Sequence, residues 1–246
     1  MIKVALIGYG KMGHLIDEIA NAHGMEIVAK VDPFLLKNEI TKETVANADV
    51  CIEFSQPDTV VQNIKKLIEL KKNIVVGTTG WFSHLDEIKK LTKKNQTGFI
   101  YSSNFSLGMN IFFKIVDYAT KLTSKITDYD VYGFEKHHRQ KMDSPSGTAK
   151  MLTDIVIKNS LIKDIPQFDK LDRKIKENEF HFASIRAGHI FGEHIIGLDS
   201  PADEITLSHR LKNRSGLAIG AILAAKWIAN KKGFYNFSEI FENIIL

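Results

Sequence analysis

A short apolar run, Ile2-Lys3-Val4-Ala5-Leu6-Ile7, leads straight into Gly8-Tyr9-Gly10-Lys11-Met12-Gly13, after which Met12, Leu15, Ile16, Ile19 and Ala20 recur at helical spacing. Strand, glycine loop and helix in immediate succession constrain the fold more than any other feature. In that context a G-x-G-x-x-G lets the backbone turn and brings the unpaired N–H groups of a helix N-terminus against a pyrophosphate. The alternative is a glycine turn made only for packing. A second strand, residues 26–31, ends at Asp32, about 20 positions beyond the glycines, where an acid holds a ribose hydroxyl. Gly8, Tyr9, Gly10, Lys11, Met12, Gly13 and Asp32 are therefore candidate cofactor contacts. Pro33 and Phe34 follow, where an arginine often meets a 2′-phosphate; Lys37 is the only nearby cation, so NADH is expected as well as NADPH.

Residues 48–54 and 73–76 read as two more buried strands, separated by a helical segment from about Asp58 to Lys71, and Gly98-Phe99-Ile100-Tyr101 as another. Alternating strand and helix predicts an α/β fold with a Rossmann-type, doubly wound parallel sheet. Gly77-Thr78-Thr79-Gly80 falls at the C-terminal end of one strand, where ligands of such sheets bind, with a tight turn as the alternative. Residues 107–122 read as an apolar helix.

With 246 residues, of which 44% are apolar, the chain can build one large domain or two small ones. One cysteine, Cys51, excludes an internal disulfide and a cysteine-based zinc cluster, and reads as a small buried hydrophobe. No charged leader precedes the first strand, and the longest apolar stretch, residues 217–229, is short for a bilayer and broken by Lys226, so a cytoplasmic protein without membrane attachment is expected. The net charge of +4 is mild, and pairs such as Lys65-Lys66 and Lys93-Lys94 read as solvated helix faces rather than a nucleic-acid stripe. The positive excess would still help collect dianionic ligands.

The densest chemistry lies at residues 135–149. A strand at residues 130–134 precedes a polar loop, and Ala149, Leu152, Ile155 and Val156 then take helical spacing. Ser144 or Ser146 can cap that helix, Pro145 suits its first turn, and Gly147 admits a ligand to backbone amides already poised for an anion. The loop also carries His137, His138 and Lys141, suited to moving protons beside a bound carboxylate. Solvated loop charges are the plainer alternative. The string Glu135 to Ala149 resembles the signature of the 4-hydroxy-tetrahydrodipicolinate (dihydrodipicolinate) reductase family, E-x-H-H-x-x-K-x-D-x-P-S-G-T-A, at every fixed position.

The resemblance covers essentially the full length. It implies NAD(P)H-dependent reduction of 4-hydroxy-tetrahydrodipicolinate to tetrahydrodipicolinate with loss of water, in diaminopimelate and lysine biosynthesis. His137 and Lys141 are then the catalytic candidates, and His138, Gly147 and Thr148 bind the dicarboxylate. Gly77, Thr78 and Thr79, with Ser103, Asn104, Phe105 and Ser106, look like cofactor-contacting loops. It also implies a dinucleotide-binding domain from residues 1–106 and 214–246, a hinge at Arg214, and an α+β substrate-binding domain at 107–213 whose mixed sheet assembles a homotetramer. Strands are read at residues 180–190, 192–196 and 204–209, the first two joined by glycines, with a featureless polar stretch at 167–179. His189, Glu193 and His194 could suggest a metal cluster, but strand geometry puts His194 on the opposite face and no metal is expected. Leu217, Ile219, Ile222, Leu223 and Trp227 read as the apolar face of a last helix ending near Gly233. The chain departs from the family pattern in a shorter glycine loop, in Ser144 for alanine and in Leu217 for an aromatic. Two other readings remain: a Rossmann reductase of a small keto or imino acid, such as an aspartate dehydrogenase, and a non-enzymatic dinucleotide sensor.

Overall fold

A computed structural model describes residues 1–35, 39–126 and 128–245. They form two compact units, Met1–Leu107 with Arg214–Leu246, and Gly108–Asn213. The first unit begins β1 (Ile2–Ile7), α1 (Lys11–Ala20), β2 (Met25–Val31), β3 (Val50–Glu53), α2 (Val60–Glu69), β4 (Asn73–Val76), α3 (Leu85–Asn95) and β5 (Gly98–Tyr101). The chain continues through α4 (Leu107–Thr123), β6 (Asp130–His137), α5 (Gly147–Asn159), β7 (Ile165–Gln167), β8 (Glu179–Arg186), β9 (Glu193–Asp199) and β10 (Glu204–Arg210). It ends with α6 (Ser215–Ile228), β11 (Gly233–Asn236) and α7 (Phe241–Ile245), back in the first unit.

The first sheet has the order β11-β5-β4-β3-β1-β2 with every pair parallel. Its strands alternate sides, so Val4 and Leu6 face one core with Ile16 and Ile222, while Ala5 and Ile7 face another with Ile64 and Ile88. Covering on both faces is why β3 and β4 read as unbroken apolar runs. Cys51 is fully buried, and burial pushes its thiol up to about 12.

The last helix differs from its expected face. Of Leu217, Ile219, Ile222, Leu223 and Trp227 only Ile222 is buried, whereas Ala218, Ala221 and Ala225 face the core. One cause is proximity: a Cβ on Gly220 would stand 1.8 Å from the Phe105 carbonyl oxygen, so no side chain fits there, and alanines line much of the buried face beside Ile222 and Ile228. The helix also stops at Ile228, and Gly233–Asn236 becomes an edge strand beside β5 instead of a helix end.

The second sheet has the order β10-β9-β6-β8-β7; β7, β8 and β6 are parallel, and β9 and β10 antiparallel to their neighbours. The sheet is mixed, as expected, but β8 and β9, joined through Gly188 and Gly192, are not partners: β6 lies between them. Phe112, Phe113 and Val116 of α4 and Leu152 and Val156 of α5 cover one face over Phe180, Phe182 and Ile196. The short β7 ends at Gln167, where the stretch read as featureless begins, and within that stretch Arg173 forks onto Glu179 at 2.6 and 2.8 Å. No helix of the described residues is long and apolar enough to cross a membrane.

Candidate active site

In the first unit the strand order reverses between β1 and β3, the place where such sheets open a crevice at their carboxyl ends. The three glycines that follow β1 meet different needs there. Gly8 has φ +87, and a Cβ on it would lie 2.3 Å from the Phe54 carbonyl oxygen; a Cβ on Gly13 would lie 2.5 Å from that of Gly8. A Cβ on Gly10 would meet nothing within 4 Å, which leaves this exposed backbone open to a ligand. Asp32 turns its carboxylate to the same loop, accepting from the Tyr9 amide at 2.7 Å and the Phe34 amide at 3.0 Å. Tyr9 is fixed by its hydroxyl bond to Asp17, which also pairs with Lys30 at 2.6 Å. Lys11 is exposed and Met12 half-buried on α1. Lys37 lies outside the described residues.

Gly77 follows β4 outside any hydrogen-bonded turn; it is small because the Phe54 ring would stand 2.0 Å from its Cβ. Thr78 is buried and Thr79 exposed. After β5, Ser103 is exposed, Asn104 accepts from the Ser106 amide at 2.9 Å, and Ser106 is buried. The Phe105 ring belongs to the core, 4.8 Å from that of Phe237, so its side chain supports this loop rather than facing a ligand. Beneath these loops lies Glu53, fully buried, which the sequence reading left without a role. Its Oε1 accepts from the Ser55 amide at 3.2 Å and from Asn63 at 3.3 Å, and burial raises its pKa, favouring the neutral acid.

In the second unit β6 runs to His137, so Glu135, Lys136 and His137 belong to the sheet rather than to a loop. Register then assembles a polar row: Glu135 pairs with Ser184 of β8 and His194 of β9, and His194 with His209 of β10. On the next rung His137 pairs with Arg186. Glu135 is fully buried; its Oε1 accepts from the Ser146 amide (2.9 Å), Ser184 (3.0 Å) and Arg186 (2.9 Å), and its Oε2 from the Ser146 hydroxyl. Burial alone would raise this carboxyl, but His194, Ser146 and Arg186 outweigh it and hold it well below the usual carboxylate range.

His137 is 7% exposed, with Nδ1 3.4 Å from Glu135 Oε2. Burial pulls its pKa down to about 4; the Glu135 charge opposes this, and His194, Lys141 and Arg186 reinforce it. The imidazole is therefore neutral near pH 7. His138 is half-buried, and its Nδ1 is buried without a hydrogen-bond partner among the described residues. Lys141 sits in the turn beyond, its Nζ 2.7 Å from Asp143 Oδ1. Burial draws the Asp143 carboxyl up, and the Lys141 bond more than offsets it.

The turn ends at α5. Ser146 is the cap, its hydroxyl oxygen accepting from the Ala149 amide at 3.1 Å, and Pro145 precedes the cap rather than occupying the first turn. Gly147 is exposed with no atom within 4 Å of a Cβ position, and Thr148 follows half-buried, so the backbone at Gly147 leaves room for a ligand at this helix N-terminus.

His189 lies in the turn after β8, and Glu193 points to the other face, paired with Lys136 at 2.6 Å. The one trio with metal-ligand spacing among the described residues is instead Glu135, His137 and His194, with donor atoms within 4.8 Å. Both Glu135 oxygens are already engaged and a guanidinium stands on one of them, a poor setting for a further cation. Glu135, Ser184, Arg186 and His194 had no assigned role in the sequence reading, because pairing across three strands brings them together.

Residues 2–105 match the family model described as Dihydrodipicolinate reductase, N-terminus, and residues 108–241 the one described as Dihydrodipicolinate reductase, C-terminus. A relative named 4-hydroxy-tetrahydrodipicolinate reductase from Christiangramia forsetii is 34% identical over 99% of both chains. Another of that name from Archaeoglobus fulgidus is 35% identical over 98% of this chain and 100% of its own. Among solved structures, a dipicolinate-bound dihydrodipicolinate reductase from Paenisporosarcina sp. TG-14 shares the fold, with a TM-score of 0.76 at 22% identity over 98% of this chain and 99% of that one. Matched in both halves and along nearly its whole length, the chain belongs to the dihydrodipicolinate reductase family.

Proposed function

We propose that the chain reduces 4-hydroxy-tetrahydrodipicolinate to tetrahydrodipicolinate with NADH or NADPH and releases water, a step of diaminopimelate and lysine biosynthesis in the cytoplasm. The observation that carries this reading is the juxtaposition in one unit of a capped, open helix start at Gly147 with His137, His138 and Lys141 on the segment before it.

The open backbone at Gly10 and the Asp32 carboxylate fit a dinucleotide, so residues 8–13, Asp32, Gly77, Thr78, Thr79 and 103–106 would hold it, Phe105 by its backbone. An acid at the end of β2 suits unphosphorylated ribose, and NADH is used at least as well as NADPH. When bound, the reduced nicotinamide supplies the hydride for the ring carbon that loses its hydroxyl. The protein's own part is binding and proton movement. The Gly147 and Thr148 amides hold one substrate carboxylate, and His138 contacts the substrate. Lys141, whose ammonium pairs with the exposed Asp143 carboxylate, donates the proton that the reduction consumes. Neutral His137 acts beside it as acid or base. No metal takes part. The second sheet, whose Tyr132 and Ile185 stand partly exposed on the face away from α4 and α5, assembles a homotetramer.

A coupled assay with freshly generated substrate, following NADH and NADPH oxidation separately, tests the reading. Oxidation that requires the ring substrate is expected. Turnover with aspartate alone, or NADH binding without turnover of any acid, would overturn it.

A further inference from the structure

The most heavily partnered buried charge in the second unit is Glu135, and its partners come from four separate segments. We propose that Glu135 is a positioning residue, which fixes the His137 imidazole and the start of α5 to one another through a single carboxylate. The inference rests on the reading above, in which His137 and the helix start both face the substrate.

A fully buried carboxylate stays ionised only if its donors replace water. Glu135 has Arg186, Ser184 and the Ser146 amide on Oε1, and the Ser146 hydroxyl on Oε2. Its Oε2 also lies 3.4 Å from His137 Nδ1 and 3.3 Å from His194 Nε2, electrostatic contacts without hydrogen-bond geometry, since both nitrogens are buried and have no hydrogen-bond partner among the described residues. Ser146 is the cap of the helix that starts at Gly147, so the group that anchors this helix start also faces the imidazole. A shift of either would pull on the other.

The imidazole has little freedom around this contact. The His194 ring stands 5.1 Å away at 73°, and Gly192, with φ +152, leaves its missing Cβ only 3.1 Å from His137 Nε2. With an anion facing Nδ1, the hydrogen of the neutral ring belongs on Nδ1, leaving Nε2 as the nitrogen able to accept a proton. A fixed anion at this distance biases the tautomer of a base through its charge, without itself changing protonation.

The test combines nitrogen NMR of the full-length protein with steady-state kinetics. In the wild type, His137 should be the Nδ1–H tautomer at neutral pH. Glu135→Gln offers an amide donor in place of the anion and should shift the ring toward Nε2–H. In that variant turnover should fall on the order of 10²-fold and KM for the dicarboxylate rise, as for a misplaced reacting group, while NADH affinity, set in the other unit, is unchanged. Glu135→Asp keeps the charge but draws it back from the ring, so it should recover the Nδ1–H tautomer only in part and leave KM high. An Nε2–H tautomer in the wild type, or wild-type turnover and KM in Glu135→Gln, would overturn the proposal. If Glu135→Gln does not fold, the wild-type tautomer decides. Should the protein not turn over the ring substrate at all, the proposed function fails, yet the tautomer still judges the role of Glu135.

Discussion

At the scale of single residues, two lysine and glutamate positions separate chemistry from packing. Among the described residues the Lys141 ammonium bonds to Asp143, and its side chain is a quarter exposed, so Lys141→Ala removes little structure. Turnover should drop 10²- to 10⁴-fold, about what a positioned proton donor contributes, with NADH binding intact by fluorescence titration. Near wild-type turnover would refute the role. Glu53 is the converse case. Its raised pKa means the folded state keeps a proton that the unfolded chain releases, so its contribution to stability declines as pH climbs above the ordinary glutamate value of 4.5. Glu53→Gln mimics the neutral acid and should match or exceed the wild type in urea denaturation at pH 8; a clear loss would mean that the carboxylate is the native form. Lys141 belonged to a motif whose spacing is local and could be read directly. Glu53 gave no signal, since an acid at the end of an apolar strand looks the same whether it ends buried or in water.

At the scale of elements, legibility followed the distance over which a feature is determined. The strand, glycine loop and helix of residues 2–20 form within one stretch of chain, and their alternation carried the parallel sheet with it. β11 has only Gly233–Asn236, and nothing marks those residues as a strand until β5 lies beside them. The buried face of α6 does not follow apolar size: the close approach of Phe105 demands glycine at 220, and Ala218, Ala221 and Ala225 are buried where Leu217, Ile219 and Leu223 are not. Gly220→Ala tests this. Its Cβ cannot fit 1.8 Å from a carbonyl oxygen, so the helix must shift, with a loss of about 1–3 kcal/mol in denaturant titration. Ala221→Gly, on the same helix, should cost no more than about 1 kcal/mol. Helix propensity alone would make Gly220→Ala stabilising by up to about 1 kcal/mol, and that outcome would overturn the packing account.

At the scale of the whole molecule, the buried His137 and Glu135 set the response to acid. The unfolded chain binds a proton at His137 near the ordinary value of 6.5, whereas the folded chain resists until about 4, so stability falls as pH drops through that window. Glu135, held far down in the folded state, adds stability above the ordinary carboxylate range that is lost on further acidification. Urea midpoints should therefore decline steadily between pH 7 and pH 4.5, and His137→Asn should flatten the slope above pH 4. An unchanged slope would place the acid sensitivity elsewhere.

The row Ser184, Glu135, His194 and His209 exists only because β8, β6, β9 and β10 pair in one alignment. Sliding β8 or β9 against β6 by a single position would send its member of the row to the opposite side and leave the Glu135 carboxylate without that partner. The protein thus audits its own assembly: a molecule able to work the proton chemistry is one whose second sheet has been threaded correctly, and activity per mole doubles as a gauge of faithful strand alignment.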